Sequence, residues 1–182
     1  PRVARPLACV FSTAWSKTTT RRSDPKVTQV SFYRLLHWPL ERALPKLIEK
    51  TLQADKRSVV VTDGEKRAEF LSNALWSENA GSWLPHGLNK EGSAKDGRAS
   101  DQPVWLTDKD ENPNSADFLF LTDGMSSDGI DGFERCFELF DGNDSAQVAA
   151  ARERWKAYKD AGHELKYLQQ TENGGWSEMA SG

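Results

Sequence analysis

Read for its hydrophobic and polar positions, the chain alternates between two periods. "QVSFYRLL", Gln29 to Leu36, has the β-branched and aromatic content of a first strand. Pro39 then opens "PLERALPKLIEKTLQA", where Leu40, Leu44, Leu47, Ile48 and Leu52 recur at helical spacing. Pro39 suits a first turn, whereas Pro45 falls inside the helix and is a cost there. "KRSVVVT" is a short apolar run, as the centre of a parallel sheet requires. "DGEKRAEFLSNALW" returns to the helical period, with Thr62 or Asp63 as the N-cap and Ala68, Leu71, Leu75 and Trp76 facing inward. "GSWLPHGL" is too short for a helix and leads into the polar loop "NKEGSAKDGRASDQ". "PVWLT" and "DFLFLT" read as two more strands around the turn-rich "DKDENPNSA".

"GFERCFELFDG" is compatible with either period, and its length and aromatic content favour a strand. A last helix is expected from about Ser145 to Ala161, capped by Asp144 or Ser145, with Ala150, Ala157, Tyr158 and Ala161 as its inner stripe. Strand and helix in alternation make this an α/β, three-layer Rossmann-like domain with a mostly parallel or mixed central sheet. The domain is expected over 27–168. Residues 169–182, "QQTENGGWSEMASG", read as a flexible C-terminal tail.

Charge sharpens that division. The chain of 182 residues has a net charge of −3. Residues 1–26 hold six Arg or Lys against one Asp, a local +5, which leaves −8 on the remainder. That stretch shows no sustained period and is expected to be a disordered or non-native leader. No run is long and apolar enough to span a membrane, and Cys9 and Cys136 cannot build a disulfide framework. A reducing cytoplasm is the compartment these features suggest.

Candidate chemistry is sparse. No G-x-G-x-x-G follows the first strand and no G-K-[ST] occurs. His37, His86 and His163 lack zinc spacing, and Cys136 lies in a run that reads as buried and inert. "TDG" occurs at Thr62–Gly64 and Thr122–Gly124, each after an expected strand. Asp63 and Asp123 could therefore meet at the sheet's C-terminal edge and serve a small enzyme acting on a nucleotide or phosphorylated ligand. A turn and helix cap is the plainer account of both. No catalytic set and no metal or cofactor site emerges.

The final helix offers more. "ARERWKAYK" puts Arg152, Trp155, Lys156 and Lys159 on one stripe. A solvated face explains such charges, but a Trp among three cations also suits an acidic peptide ending in a hydrophobic residue with a free carboxylate. Single-stranded nucleic acid is disfavoured by the acidic remainder of the domain.

"VSFYRL", "ALW…SWLPHGL" and "ARERWKAYKDAG", in this order and spacing, resemble the chi subunit of bacterial DNA polymerase III holoenzyme over roughly residues 28–168. The resemblance implies a small accessory subunit without catalytic activity of its own, in a complex that has DNA polymerase activity. Its implied partners are the psi subunit of the clamp loader and the acidic C-terminal tail of single-stranded DNA-binding protein, with DNA reached only indirectly. It implies Arg152, Trp155 and Lys156 as the tail-binding set, with Phe140 in the same pocket and Lys159 beside it. Family members often carry Tyr where this chain has Trp155, and Val148 stands about where another basic residue can occur, which implies a weaker tail contact. For psi, the resemblance points to Trp76, Trp83, Leu84 and Pro85, although Trp76 alone could equally close the core.

Overall fold

A computed structural model describes residues 27–77, 83–89 and 97–182. The expected leader, 1–26, and residues 90–96 of the polar loop after Leu88 lie outside the described residues. The strands are β1 (Gln29–Leu35), β2 (Ser58–Val61), β3 (Gly87–Leu88), β4 (Val104–Thr107), β5 (Phe118–Leu121), β6 (Arg135–Asp141), β7 (Glu164–Gln170) and β8 (Trp176–Ser181). The helices are α1 (Leu40–Gln53), α2 (Glu65–Ser77) and α3 (Ser145–Asp160). One sheet runs β3-β4-β2-β5-β6-β1-β7-β8, parallel throughout except for the antiparallel pair β7–β8. The α/β layered, mostly parallel reading therefore holds, and 135–141 is a strand.

Strand alternation builds two cores. On one face α1 and α2 lay Leu44, Leu47, Ile48, Leu71 and Leu75 over Tyr33, Phe120, Phe137 and Leu139. On the other, α3 and the irregular segment carrying Ile130 and Phe133 cover Val30, Phe32, Leu119, Cys136, Phe140 and Leu165. The central β2 valines are fully buried because both faces are covered. Cys136 is likewise buried, and burial raises its thiol pKa well above the usual range.

Three expectations are corrected. Trp76 does not face inward with Leu75 but stands 52% exposed at the end of α2, because Leu71 and Leu75 already fill that side of the core. In α3, capped by Asp144 through the amides of Ala146 and Gln147, Ala150, Ala157 and Ala161 are exposed. The inner face is instead Val148, Ala151, Arg154, Trp155 and Tyr158. The helix turns its larger aromatic side chains toward the sheet because they bury more apolar area than alanines do. The third correction is the tail.

Residues 169–182 are not a flexible tail: β7 continues to Gln170 and β8 follows as an edge strand. Two anchors explain how so polar a segment is held. Trp176 packs edge-on against Tyr33, ring centroids 4.6 Å apart. In the turn between the strands, Gly174 has φ +73° and lies against the Trp38 ring, where an added Cβ would come within 2.0 Å. Only glycine fits that position.

Candidate peptide-binding groove

Two concavities are candidates for function. The first is a crevice of about 360 Å³ at the carboxyl ends of β1 and β6. These strands are neighbours, yet β1 leads into α1 on one face of the sheet and β6 into α3 on the other. That divergence is the place where open α/β sheets usually bind ligands. Here its polar groups are turned to each other. Gln170 Oε1 accepts from three successive backbone amides, Leu36 at 3.1 Å and His37 and Trp38 at 2.8 Å each. Such a cluster of N–H groups would otherwise attract an anion. Arg67 bridges Glu41 at 2.6 Å and Asp123 at 3.1 Å. Asp123 lines the crevice, whereas Asp63 is exposed and does not, so the two "TDG" carboxylates do not share this pocket. Among the described residues no cluster of His, Cys, Asp and Glu could hold a metal ion, and no helix is long and apolar enough to cross a membrane.

The second is a groove of about 400 Å³ between α3 and the β7–β8 end of the sheet. Its floor is aromatic: Phe32, Phe140 and Tyr167. Its helix wall is Val148, Ala151 and Trp155, with Arg152 on the rim and Ala180 of β8 opposite. Trp155 is half-buried rather than free, its ring 5.3 Å from Phe32 and 6.2 Å from Tyr167, edge-on to the latter. A fixed aromatic wall loses little freedom when a ligand packs on it.

The helix is pinned beneath this wall by a buried ion pair. Glu138 shares the α3 face of β6 with Cys136 and Phe140, is 2% exposed, and accepts from Arg154 Nε. Burial pushes the Glu138 carboxyl up to about 7, against the pull of Arg154. Burial likewise raises the neighbouring Tyr158 phenol. Arg154 thus belongs to the interior, while Arg152 is exposed and, among the described residues, makes no ion pair or hydrogen bond. Lys156 is turned to solvent, 3.0 Å from Glu153 Oε1, and does not line the groove. Lys159 lies at the far end, where a Cβ added at Gly182 would stand 3.6 Å from its Nζ and 3.4 Å from Trp155.

Of the expected tail-binding residues, the structure brings Phe140, Arg152 and Trp155 together, leaving Lys156 and Lys159 on the periphery. Sequence reading missed Phe32, Tyr167 and Ala180. Tyr167 alternates with Leu165, a signal that was available; Ala180 had none, since its segment looked unstructured.

The other expected surface is split. Trp76 and Trp83, 52% and 72% exposed, lie with ring centroids 6.2 Å apart. Pro85 is half-buried beside them, but Leu84 is only 3% exposed and belongs to the core. His86 secures the segment: Nδ1 donates to the Leu84 carbonyl at 2.7 Å, which leaves Nε2 to accept from Ser72 Oγ at 3.0 Å.

Residues 27–166 match the family described as DNA polymerase III chi subunit, HolC. The chain belongs to this chi-subunit family. A probable DNA polymerase III subunit chi from Rickettsia prowazekii (strain Madrid E) is 31% identical over 93 residues, 51% of this chain. The alignment spans about half of that relative's length, 53%. DNA polymerase III subunit chi from Escherichia coli (strain K12) is 29% identical over 126 residues, 69% of this chain and 82% of the relative. The chi-family match ends at Lys166, inside β7, so β8 lies beyond it.

Proposed function

We propose that this chain is a non-catalytic accessory subunit of the replicative polymerase's clamp-loader complex, joined to it through a psi subunit. It would tether that complex to the acidic C-terminal tail of single-stranded DNA-binding protein. The observation that carries the reading is the groove: an aromatic floor and wall with the uncommitted Arg152 guanidinium on its rim. A peptide ending in an aromatic residue presents a ring for the floor and a carboxylate for a guanidinium. The tail-binding set is Arg152, Trp155 and Phe140, with Lys156 and Lys159 attracting the acidic residues that precede the terminus. Many weak tail contacts along a coated template would hold the polymerase by avidity, without reading bases.

Trp76 and Trp83, flanked by Pro85, form the surface offered to psi, and buried Leu84 anchors the segment rather than touching the partner. Family membership supports a role in replication, and the crevice, with Arg67 and the amide cluster already engaged, gives no support to the nucleotide-enzyme reading.

The test is fluorescence anisotropy with a short acidic peptide ending in Ile-Pro-Phe, against wild type, Arg152→Ala and Trp155→Ala. Micromolar binding that weakens in both variants and falls with salt is expected. No binding to wild type at low salt would sink the tail site.

A further inference from the structure

The far wall of the groove depends on an irregularity in strand pairing. From the turn inward, β7 and β8 pair residue for residue: Gln170 opposite Trp176, Gln169 opposite Ser177, Leu168 opposite Glu178. The register then skips, and Tyr167 stands opposite Ala180 instead of Met179. Side chains alternate along a strand, so an unbroken register would set Met179 opposite Tyr167, on the face that Trp155 covers. The extra residue is a bulge, a device that re-aims side chains beside functional sites. Met179 is accordingly 58% exposed, and the groove receives a single methyl group from Ala180.

We propose that this bulge, and the alanine it places opposite Tyr167, form a size-setting wall that admits a large aromatic side chain at the end of a bound peptide. The proposal rests on the tail-binding reading and deepens it. The strand that supplies the wall lies beyond the stretch matched by the chi family, and the width of this groove is set by β8 as well as by the helix. Nothing in the core holds position 180 to alanine. It is exposed on an edge strand, and a longer side chain there has the groove itself to enter.

The double variant Met179→Ala/Ala180→Met exchanges the two side chains and leaves composition unchanged. Wild type and variant are titrated with two acidic peptides that differ only in ending in Phe or in Ala. Wild type should prefer the Phe-ended peptide, and the exchange should weaken that peptide on the order of tenfold while leaving the Ala-ended one within about twofold. Ala180→Val, a smaller intrusion that keeps the fold if the exchange does not, should give an intermediate loss. A variant that retains the wild-type preference for Phe overturns the wall, with the tail site intact. Failure of wild type to bind the Phe-ended peptide overturns the tail site and the wall with it.

Discussion

The crevice at the strand ends and the groove beside α3 have similar volumes, about 360 and 400 Å³, and opposite characters. The crevice occupies the place where α/β sheets usually bind ligands, but Gln170 already accepts from its three converging amides and Arg67 already holds two carboxylates. The groove lies on the flank of the sheet, away from the strand ends, yet it leaves aromatic surface open to a ligand and the Arg152 charge without a partner among the described residues. What separates them is unsatisfied capacity. A ligand entering the crevice must displace bonds the protein makes to itself, while one entering the groove completes contacts that are missing.

The strongest way to break this comparison is to remove what holds α3 over the sheet. Arg154→Ala leaves Glu138 in the interior without its partner, which should lower the urea midpoint most at about pH 8, where the carboxyl is ionised, and abolish peptide binding while the crevice, built largely from other elements, persists. The same pair predicts a pH dependence. The Glu138 pKa lies near 7 in the folded chain, above the ordinary carboxylate range it has when unfolded, so the folded state binds the proton more tightly. Stability should therefore fall as pH rises from the ordinary carboxylate range through about 7, and Glu138→Gln should flatten that slope. Urea midpoints of both proteins at about pH 5 and about pH 8 check the sign.

The crevice is tested at Gln170. Gln170→Ala orphans the amides of Leu36, His37 and Trp38, at a cost of about 2 kcal/mol since water can reach part of the site. The vacated N–H cluster should then attract anions. Phosphate is expected to raise the melting temperature of the variant and not that of wild type. A variant as stable as wild type, and as indifferent to phosphate, would mean that Gln170 does not close the crevice.

How much of this was legible in the sequence follows from how each element is stabilised. The parallel core announced itself, because strands buried on both faces must be apolar runs, as "SVVV" and "FLFL" are. The rotation of α3 did not. Alanine and tryptophan both suit an inner stripe, and only the aromatic surface of Phe32 and Tyr167, far apart in sequence, decides which of them turns in. β8 was illegible for a different reason. An edge strand needs one inward anchor and a backbone partner, so in "WSEMAS" Trp176 alone packs on the core, while Met179 and Ala180 are exposed, and the partner of Trp176, Tyr33, lies at the other end of the domain. The groove was therefore half visible. Its helix wall could be read from "ARERWKAYK", while its floor and β8 wall depended on pairing that local patterns do not encode.

Within the groove the expected effects grow smaller. Trp155→Ala removes the ring that stands over Phe32 and should weaken the Phe-ended peptide about tenfold or more, as truncating a central aromatic anchor does. Affinity compared with melting temperature separates lost contact from lost fold. A variant whose stability falls but whose peptide affinity is unchanged would place the peptide elsewhere.

The finest distinction lies between the cations. Arg152 lines the groove and its fork can meet a terminal carboxylate in two places, so Arg152→Ala should cost about 1 kcal/mol, roughly fivefold in affinity. Lys156 points to solvent, is already paired with Glu153 and lies outside the lining, so Lys156→Ala should cost less than about twofold, as exposed charges do. The two should also differ in salt response. Loss of a distant, screened attraction at Lys156 should vanish at high ionic strength, whereas loss of a direct contact at Arg152 should persist. Parallel titrations at low and high salt read both effects. If Lys156→Ala were the more damaging variant under both conditions, the peptide's carboxylate would lie on the outer face of α3, and the groove would be a neighbour of the site rather than the site.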